Sequence, residues 1–432
     1  MGIFFKRMSS ARVIALGFLS VILIGSILLS LPFSVRDGIE LSYIDALYTS
    51  TSAVCVTGLV VVDTADTFTP IGQFIIGLLI QIGGLGVASI GAGVILAVGH
   101  KVDLKGRNLV RDAMNLDAGK GIITFLRNVF FTTLAIELVG AILSFFVFVQ
   151  DYPPLHAVGI SLFHSVASFN NAGFDILGGF MSLTPYRDNV YLNIVTCVLV
   201  ILGGIGFLVM KEVVQKRFRW KKLSMHAKVV LSTSAALLLG GTILFRLSED
   251  ISWLTAFFNS VSARTAGFST VPLGTFSGAG LLLMIILMVI GASPGSTGGG
   301  IKTTTFFVLL SGIKSAATNK SEKAFKYSLP ADAFKKACII LLMALLIILT
   351  STYLILVMEP ELSFIDALFE MASAFGTVGL STGITTNLSI GSKILSMLIM
   401  FIGRLGPLTI ATLWYFSNGE RITYPEGKIS IG

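Results

Sequence analysis

Four short segments of this chain combine a glycine with the small or polar residues before it, and their backbone could hold a cation. They lie at about 55–59, 170–174, 264–268 and 376–380, and their candidate ion-binding residues are Val56, Thr57, Gly58, Asn171, Ala172, Gly173, Thr265, Ala266, Gly267, Thr377, Val378 and Gly379. Extended residues before a glycine can point successive carbonyl oxygens at an ion and replace its hydration shell. The glycine then supplies the positive φ or the close approach that ends the turn. Backbone carbonyls are therefore the predicted ligands.

Each segment follows a short apolar run with the character of a helix. An aromatic residue lies ten residues before the glycine in all four, at Tyr48, Phe163, Phe257 and Phe369. Runs this short cannot cross a bilayer core of about 30 Å, so each must enter the membrane and return on the same side. The C-terminal end of a helix is partly negative, and four such ends aimed at one axis favour a cation there.

The composition places these segments in an integral membrane protein. Of 432 residues, 54% are hydrophobic and 12% are charged, whereas soluble domains carry about 25% charged residues. A soluble domain of this size, a disordered chain and a collagen are thereby excluded. The three cysteines are widely spaced and the four histidines form no cluster with them. We therefore predict no disulfide framework, no metal-dependent enzyme and no bound cofactor.

Eight apolar stretches are long enough to form membrane-spanning helices. They lie at about 13–34, 71–98, 122–149, 190–210, 229–247, 281–310, 337–358 and 394–416. Lysine and arginine concentrate in alternate loops, which by the positive-inside rule places both termini of a multi-pass protein of the cell membrane in the cytoplasm. The net charge of +8 reflects this topology and an affinity for anionic membrane lipids, and it predicts no nucleic-acid binding.

A second glycine mark indicates four repeats. Its first glycine follows the ion-binding glycine by 24 to 30 residues, at Gly83, Gly203, Gly291 and Gly403. Each repeat is a helix, a re-entrant hairpin and a glycine-marked helix, over residues 1–115, 116–222, 223–330 and 331–432, the last with a cytoplasmic C-terminal tail. All four begin and end inside, so they are parallel. The predicted fold is an all-α integral membrane protein with eight transmembrane helices, arranged as four parallel helix–pore loop–helix repeats around a pseudo-fourfold pore.

The sixth apolar stretch contains a glycine-rich loop, residues 291–300, that cannot be continuous helix. At membrane depth such a loop must be shielded within the bundle, just below the carbonyl segments. Its candidate gate residues are Gly291, Ser293, Pro294, Gly295, Gly298, Gly299 and Gly300. A simple kink or linker is the alternative, although ten residues exceed what a kink needs.

Arg404 stands inside the last apolar stretch, where a cation is costly and functional by default. We expect it to face the axis, to donate hydrogen bonds to carbonyls of the glycine-rich loop and to act as an electrostatic barrier. An ion pair with Glu137 and a snorkelling side chain are the alternatives. Arg264 lies three residues before an ion-binding glycine, and we expect it to point behind the hairpin, toward Glu370 or Asp366.

The repeats, their single glycines and the phrases at 170–174 and 264–268 resemble the Trk/Ktr/HKT superfamily of potassium transporters, most of all the ion-translocating subunit of the bacterial Ktr type. The resemblance implies potassium uptake through a selectivity filter, often stimulated by sodium, by a homodimer with one pore in each subunit. Glycine at all four filter positions is similar to the potassium-selective members. The family also implies that the glycine-rich loop and Arg404 form an intramembrane gate.

The resemblance further implies a partner, a separate cytoplasmic ring of nucleotide-binding subunits of the RCK type. That ring would bind the nucleotide, since no nucleotide-binding fold is visible in this chain. Two other functions stay open. One is an alternating-access symporter that couples potassium to sodium or protons, for which Glu137 is the notable intramembrane acid. The other is a non-conducting scaffold, which would not need to retain the four glycines. No constellation of residues supports an enzyme.

Overall fold

The computed structural model describes residues 8–97, Gly106, Val110 and 121–412, and most of these residues are helical. The helices are α1 (Ser10–Ser30), α2 (Tyr43–Cys55), α3 (Thr64–Thr67), α4 (Pro70–Leu85), α5 (Val87–Ala97), α6 (Ile122–Phe148), α7 (Pro154–Asn170), α8 (Val190–Ile205), α9 (Phe207–Gln215), α10 (Met225–Ser248), α11 (Trp253–Ser262), α12 (Gly278–Val289), α13 (Thr303–Thr318), α14 (Ala333–Met358), α15 (Phe364–Gly376), α16 (Ile390–Leu405) and α17 (Pro407–Thr412). Short 3-10 turns occur at Thr184–Tyr186, Trp220–Lys222, Leu273–Thr275 and Thr385–Asn387. The predicted C-terminal tail lies outside the described residues.

Two short strands depart from an all-helical chain. β1 (Lys323–Ala324) and β2 (Tyr327–Ser328) pair antiparallel in the segment between α13 and α14. The predicted class, a helical membrane protein, is otherwise confirmed.

Among the described residues, four helices are long and apolar enough to cross a membrane by themselves. They are α1, α6, α10 and α14, with 21, 27, 24 and 26 residues. About 20 residues at 1.5 Å each cover the hydrocarbon core. Each helix also carries apolar side chains that are more than half exposed, among them Ile24, Phe131, Leu244 and Leu346. Such faces suit contact with lipid rather than with water.

Four shorter helices lie inside the bundle with most of their side chains buried. α2, α7, α11 and α15 have 13, 17, 10 and 13 residues, too few to span and return. Serine hydroxyls cap three of them, because Ser42, Ser252 and Ser363 each accept a hydrogen bond from the amide three residues on. α7 instead begins at Pro154, whose fixed φ suits the first helical position.

A serine ties three of these short helices to the long helix before them. Ser50, Ser165 and Ser260 donate to the carbonyls of Ile22, Glu137 and Leu238 at 2.7, 2.6 and 2.8 Å. Each hydroxyl lies against a glycine three residues further along the long helix, where a Cβ would overlap it: Gly25, Gly140 and Gly241. Because the same pair recurs at the same place in three units, the contacts support a repeated architecture.

The second helix of every predicted repeat is interrupted, not only the one in the sixth apolar stretch. α4 ends before Gly86, α8 before Gly206 and α16 before Gly406, and these glycines have φ of 85°, 96° and 87°. A helix cannot continue through such a conformation, and α8 and α9 meet at a bend of 100°. The prediction of uninterrupted spans at 71–98, 190–210 and 394–416 is therefore wrong. In these three repeats the last glycine of the mark is the breaking point.

The first and last repeats meet where α2 packs against α16. Lys393 Nζ lies 2.7 Å from the Asp45 carboxylate, and the two side chains are 13% and 18% exposed. Tyr48 Oη and Ser396 Oγ lie 3.0 Å apart along the same contact. These bonds join the two units that are furthest apart in the chain.

We expect Lys393→Met to weaken this contact, because the Asp45 carboxylate would lose its ammonium partner in a largely buried position. The expected loss of stability is roughly 1–3 kcal/mol. Thermal unfolding of the detergent-solubilised protein measures it. Lys336→Met is the matched control, because Lys336 pairs with Asp332 on an exposed helix face and should matter little. Equal shifts in the two variants would contradict this role for Lys393.

Candidate ion pathway

The four predicted ion-binding glycines form a closed ring, here called the glycine ring. An ideal Cβ on Gly58 would lie 3.0 Å from the Cα of Gly173, and one on Gly173 would lie 2.8 Å from that of Gly267. A Cβ on Gly267 would lie 3.3 Å from the Cα of Gly379, and one on Gly379 would lie 2.8 Å from that of Gly58. The ring therefore runs in chain order and closes on its first member.

Carbonyl groups lie beside each ring glycine. The same Cβ positions would collide with the carbonyl oxygen of the residue before the next glycine: Ala172, Ala266, Val378 and Thr57 in turn. Any side chain larger than hydrogen would therefore push these carbonyls out of place. The sequence placed these residues among the ion ligands, and the structure brings all four together around one axis.

The residue two before each ring glycine has a positive φ. In the first, second and fourth repeats it is the left-handed C-cap of the short helix, whereas α11 ends earlier, at Ser262. Val56, Asn171, Thr265 and Thr377 have φ of 57°, 60°, 85° and 50°. The sequence indicated extended backbone here, and that prediction is wrong for these four residues. The left-handed turn lets the next amide return to the helix: Thr57 N donates to Ser52 O at 2.8 Å and Val378 N donates to Ser373 O at 2.9 Å.

Two serine side chains fix the amides of the ring. Ser52 Oγ accepts from the Gly58 N–H at 3.0 Å, and Ser373 Oγ accepts from the Gly379 N–H at 3.1 Å. These donors are thus satisfied on the helix side of the backbone. Both serines lie six residues before their glycine, a spacing that the sequence analysis did not use.

An outer cavity of about 630 Å³ opens on one side of the ring and is lined by all four glycines. Asp63 and Asp175 stand on its wall. Asp63 accepts from the Phe180 N–H at 2.7 Å, and burial raises the pKa of Asp175 to about 6, with the charge of Asp63 adding to the effect. Carboxylates at such a mouth raise the local concentration of cations.

The glycine-rich loop lies on the other side of the ring. Gly298 packs against the Thr265 side chain so closely that a Cβ would overlap its hydroxyl. The Gly299 N–H donates to Thr377 Oγ1 at 3.1 Å. The loop therefore contacts the residues that immediately precede the ring in the third and fourth repeats.

Backbone contacts between residues 290–292 and 299–301, here called the loop waist, bring the two ends of the glycine-rich loop together. Ile290 and Ile301 form a single parallel bridge, and Ala292 N donates to Gly299 O at 3.3 Å. A Cβ on Gly291 would collide with the same Gly299 carbonyl. A simple kink, the alternative interpretation, is wrong, because a folded loop with internal bonds separates α12 from α13.

The second repeat holds the other flank of the loop. Ser293 N donates to Gly204 O at 3.0 Å, and Phe207 N donates to Gly295 O at 3.0 Å. Thr297 N donates to the carbonyl of the neighbouring residue, Gly203, at 3.3 Å. The polar backbone of the loop is thus satisfied by the break between α8 and α9, whose own backbone groups are free to pair.

Arg404 joins the loop to the first repeat. Its guanidinium donates to the carbonyls of Thr297 and Gly83, and it lies 3.3 Å from the carbonyl of Gly84. The predicted hydrogen bonding of Arg404 to the loop is confirmed, and its role as a barrier to ions stays a prediction. The expectation that it faces the interior agrees with these contacts, and snorkelling does not.

The alternative partner for Arg404, Glu137, lies elsewhere. The Glu137 carboxylate accepts from Gln81 Nε2 at 3.2 Å and from Asn170 Nδ2 at 3.0 Å. The ion-pair interpretation is therefore wrong. Glu137 instead ties α6 and α4 to Asn170, which ends α7 and begins the second ion-binding segment.

Arg264 lies behind its hairpin, as expected, but not toward the predicted acids. Its guanidinium lies 3.4 Å from Ser234 O and 3.5 Å from Gly291 O. Glu370 instead accepts a hydrogen bond from Ser381 at 2.8 Å. The proposed direction toward Glu370 or Asp366 is therefore wrong, because α10 and the loop waist occupy the space behind the third hairpin.

The glycine marks let three second helices lie against the end of the short helix in their own repeat. A Cβ would collide with a backbone carbonyl in each case: Gly83 with Val54, Gly203 with Phe169 and Gly403 with Phe375. The mark was found in the sequence, but its packing function was not. Lys302 was not among the residues predicted from the sequence, and its ammonium donates to the Gly298 carbonyl at 2.7 Å.

Apolar spanning helices around an axial ring of backbone carbonyls define a membrane transport protein. The family model described as TrkH: Cation transport protein matches residues 5–233 and 223–419. The chain therefore belongs to this family of cation transport proteins, and it is a transporter, not an enzyme.

Relatives match the chain along almost its whole length. It is 38% identical to potassium/sodium uptake protein NtpJ of Enterococcus hirae, over 99% of this chain and 98% of that protein. It is 36% identical to Ktr system potassium uptake protein B of Bacillus subtilis, over 99% and 97%. The crystal structure of the potassium transporter TrkH from Vibrio parahaemolyticus matches with a TM-score of 0.74 and 18% identity, over 95% of this chain and 87% of that chain. That structure shows the shared fold.

We expect Gly203→Ala to destabilise the protein, because its Cβ would overlap the Phe169 carbonyl that ends α7. Overpacking of this kind costs about 1–3 kcal/mol. Gly240→Ala in α10 is the control, since its Cβ would meet no atom within 4 Å, and it should be neutral or slightly stabilising. The thermal midpoints of both variants in detergent decide the matter. A Gly203→Ala protein as stable as the control would refute the close packing.

Proposed function

We propose that the chain takes up potassium through the glycine ring, which acts as a selectivity filter. The observation that carries the proposal is the closed ring of four glycines, each beside the carbonyl of its neighbour. Carbonyl oxygens in a ring can replace the hydration shell of a cation. The ends of α2, α7, α11 and α15 bring partly negative helix termini to the same place, which also favours a cation.

Potassium is the proposed ion because the relatives named for uptake are potassium or potassium/sodium proteins. The filter ligands would be the carbonyls of the candidate residues in the four segments, with no ligand from a side chain. Sodium is proposed as a second permeating or stimulating ion on the strength of the relative in Enterococcus hirae. An outer cavity with Asp63 and Asp175 supports entry of a cation from that side.

The glycine-rich loop and Arg404 are proposed as the gate. The loop contacts the ends of two filter segments, and Arg404 binds its Thr297 carbonyl. A guanidinium beside the ion path repels a cation at this depth. Movement of the loop away from the axis would remove both the steric and the electrostatic barrier.

The remaining organisation is proposed from the repeats and the relatives. Four parallel repeats with the boundaries predicted from the sequence would place both termini in the cytoplasm and surround one pore in each subunit. We propose a homodimer that binds a cytoplasmic ring of nucleotide-binding subunits, since two similar proteins are named as members of a Ktr system. The nucleotide would be bound by that ring.

We expect Gly267→Ser to reduce selectivity for potassium over sodium, because its side chain would displace the Val378 carbonyl and crowd Gly173. The selectivity ratio in proteoliposomes should fall by about tenfold, which corresponds to a loss of 1.4 kcal/mol in discrimination. Gly38→Ser is a matched control, because Gly38 has the same φ of 83° but no atom within 4 Å of its Cβ position. Unchanged selectivity in Gly267→Ser would overturn the filter assignment.

Uptake by the chain alone, with potassium and sodium gradients varied independently in proteoliposomes, separates a pore from a carrier. We expect flux that follows the potassium gradient in either direction without sodium and that scales with voltage. Strict dependence on sodium at a fixed stoichiometry would instead support an alternating-access symporter. Absence of flux from correctly folded protein would support the scaffold interpretation.

A further inference from the structure

Lys302 is the second residue after the glycine-rich loop and immediately precedes α13. Its side chain is half-buried, and its Nζ donates to the Gly298 carbonyl at 2.7 Å. Burying an ammonium group in a membrane protein is costly, so the position demands a compensating interaction or a function. A single carbonyl compensates only part of that cost.

Lys302 and Arg404 hold neighbouring carbonyls of the same loop. Arg404 reaches Thr297 from α16, whereas Lys302 reaches Gly298 from the C-terminal side of the loop itself. The two cations therefore donate hydrogen bonds to the same turn of backbone from two different elements. Neither α13 nor α16 can move relative to the loop without breaking one of these bonds.

Both cations line one cavity of about 270 Å³ below the loop. The described residues that line this cavity include Gly84, Phe207 and Gly406, and none of them is acidic. Two positive charges without a carboxylate among their described neighbours create a positive potential there. A cation that passes the ring must cross this potential.

The opposite face of the same turn touches the ends of the filter segments. Gly298 packs against Thr265, and the Gly299 N–H bonds Thr377. The Lys302 bond therefore acts on the residue that presses on the third segment. The thickness of one loop separates the ammonium group from the ring.

We propose that Lys302 is a second gate residue, which fastens the Gly298 carbonyl and adds its charge to the barrier formed with Arg404. This inference rests on the proposed function. In this proposal, α13 and α16 hold the loop through separate bonds. Movement of α13 breaks the bond to Gly298, and movement of α16 breaks the bond to Thr297. Full opening requires both releases.

Potassium flux into proteoliposomes tests the proposal with the full chain. Lys302→Gln removes the charge, and we expect flux to rise by about tenfold, the scale of one unit charge acting over a few ångströms in a partly hydrated cavity. Lys302→Arg keeps the charge and a donor, so flux should stay close to that of the wild type. Lys314→Gln is the control for a lysine on the exposed face of α13, and it should change nothing.

Chemical modification of Lys302→Cys separates charge from folding within one preparation. A cationic methanethiosulfonate should lower the raised flux toward the wild-type level, and an anionic reagent should leave it high or raise it further. The same reagents on the wild type control for Cys55, Cys197 and Cys338. If both reagents change flux equally, or if Lys302→Arg rises as much as Lys302→Gln, the charge has no role and the proposal is overturned.

Arg404→Ala distinguishes a failure of this inference from a failure of the gate itself. If Arg404→Ala raises flux and Lys302→Gln does not, Lys302 is not a gate residue and the proposed gate stands. If neither variant raises flux in folded protein, the gate assignment fails with it. Because full opening requires both releases, the double variant should gain more than the product of the two single gains.

Discussion

The whole axial region depends on one constraint: a backbone that leaves the helix inside a membrane must satisfy its amides and carbonyls without bulk water. The short helices meet it by turning left-handed at their ends, so that amides such as that of Thr57 return to the helix. The glycine-rich loop meets it by pairing with carbonyls exposed by the break after α8. The carbonyls left facing the axis are those that an ion can satisfy. Under the proposed function, ion binding and backbone satisfaction are therefore the same problem in this fold.

The buried charged groups also need hydrogen-bond partners inside the membrane. The partners of the acid, Glu137, are side-chain amides, whereas those of the two cations are backbone carbonyls. Glu137 receives hydrogen bonds from Gln81 and Asn170, which are neutral, so its contacts stiffen the start of the second segment. Arg404 and Lys302 donate to backbone carbonyls of the loop and of α4. Carbonyl partners leave the positive charge uncompensated. Under the proposed function the two cations act as a barrier and Glu137 as a structural tie, and all three charges are costly in a membrane.

Much of this arrangement could be predicted from the sequence because glycine occurs where two backbone segments approach closely. The ring glycines and the mark at Gly83, Gly203 and Gly403 were found by spacing alone. The helix breaks at the end of the mark were missed because the residues around them are mostly apolar. A hydropathy pattern does not show a turn that introduces no polar side chain. The direction of Arg264 was missed for another reason: the groups beside its guanidinium are backbone carbonyls of Ser234 and Gly291, which a search for acids does not find. Lys302 was missed because one lysine after a glycine run has no distinctive spacing.

The third repeat explains why a gate could arise on one side of the axis only. In the other three repeats, the mark glycine packs on the end of its own short helix, which leaves no room for an insertion. In the third, Gly291 packs on Gly299 instead, so the loop itself fills the space that a continuous helix would occupy. The loop then forms hydrogen bonds with Gly203 and Gly204 of the second repeat. It also forms hydrogen bonds with Thr377 and Arg404 of the fourth repeat. An element that is bonded to two neighbouring repeats cannot move without disturbing both. Under the proposed function, a single loop can therefore control a pathway that four repeats build.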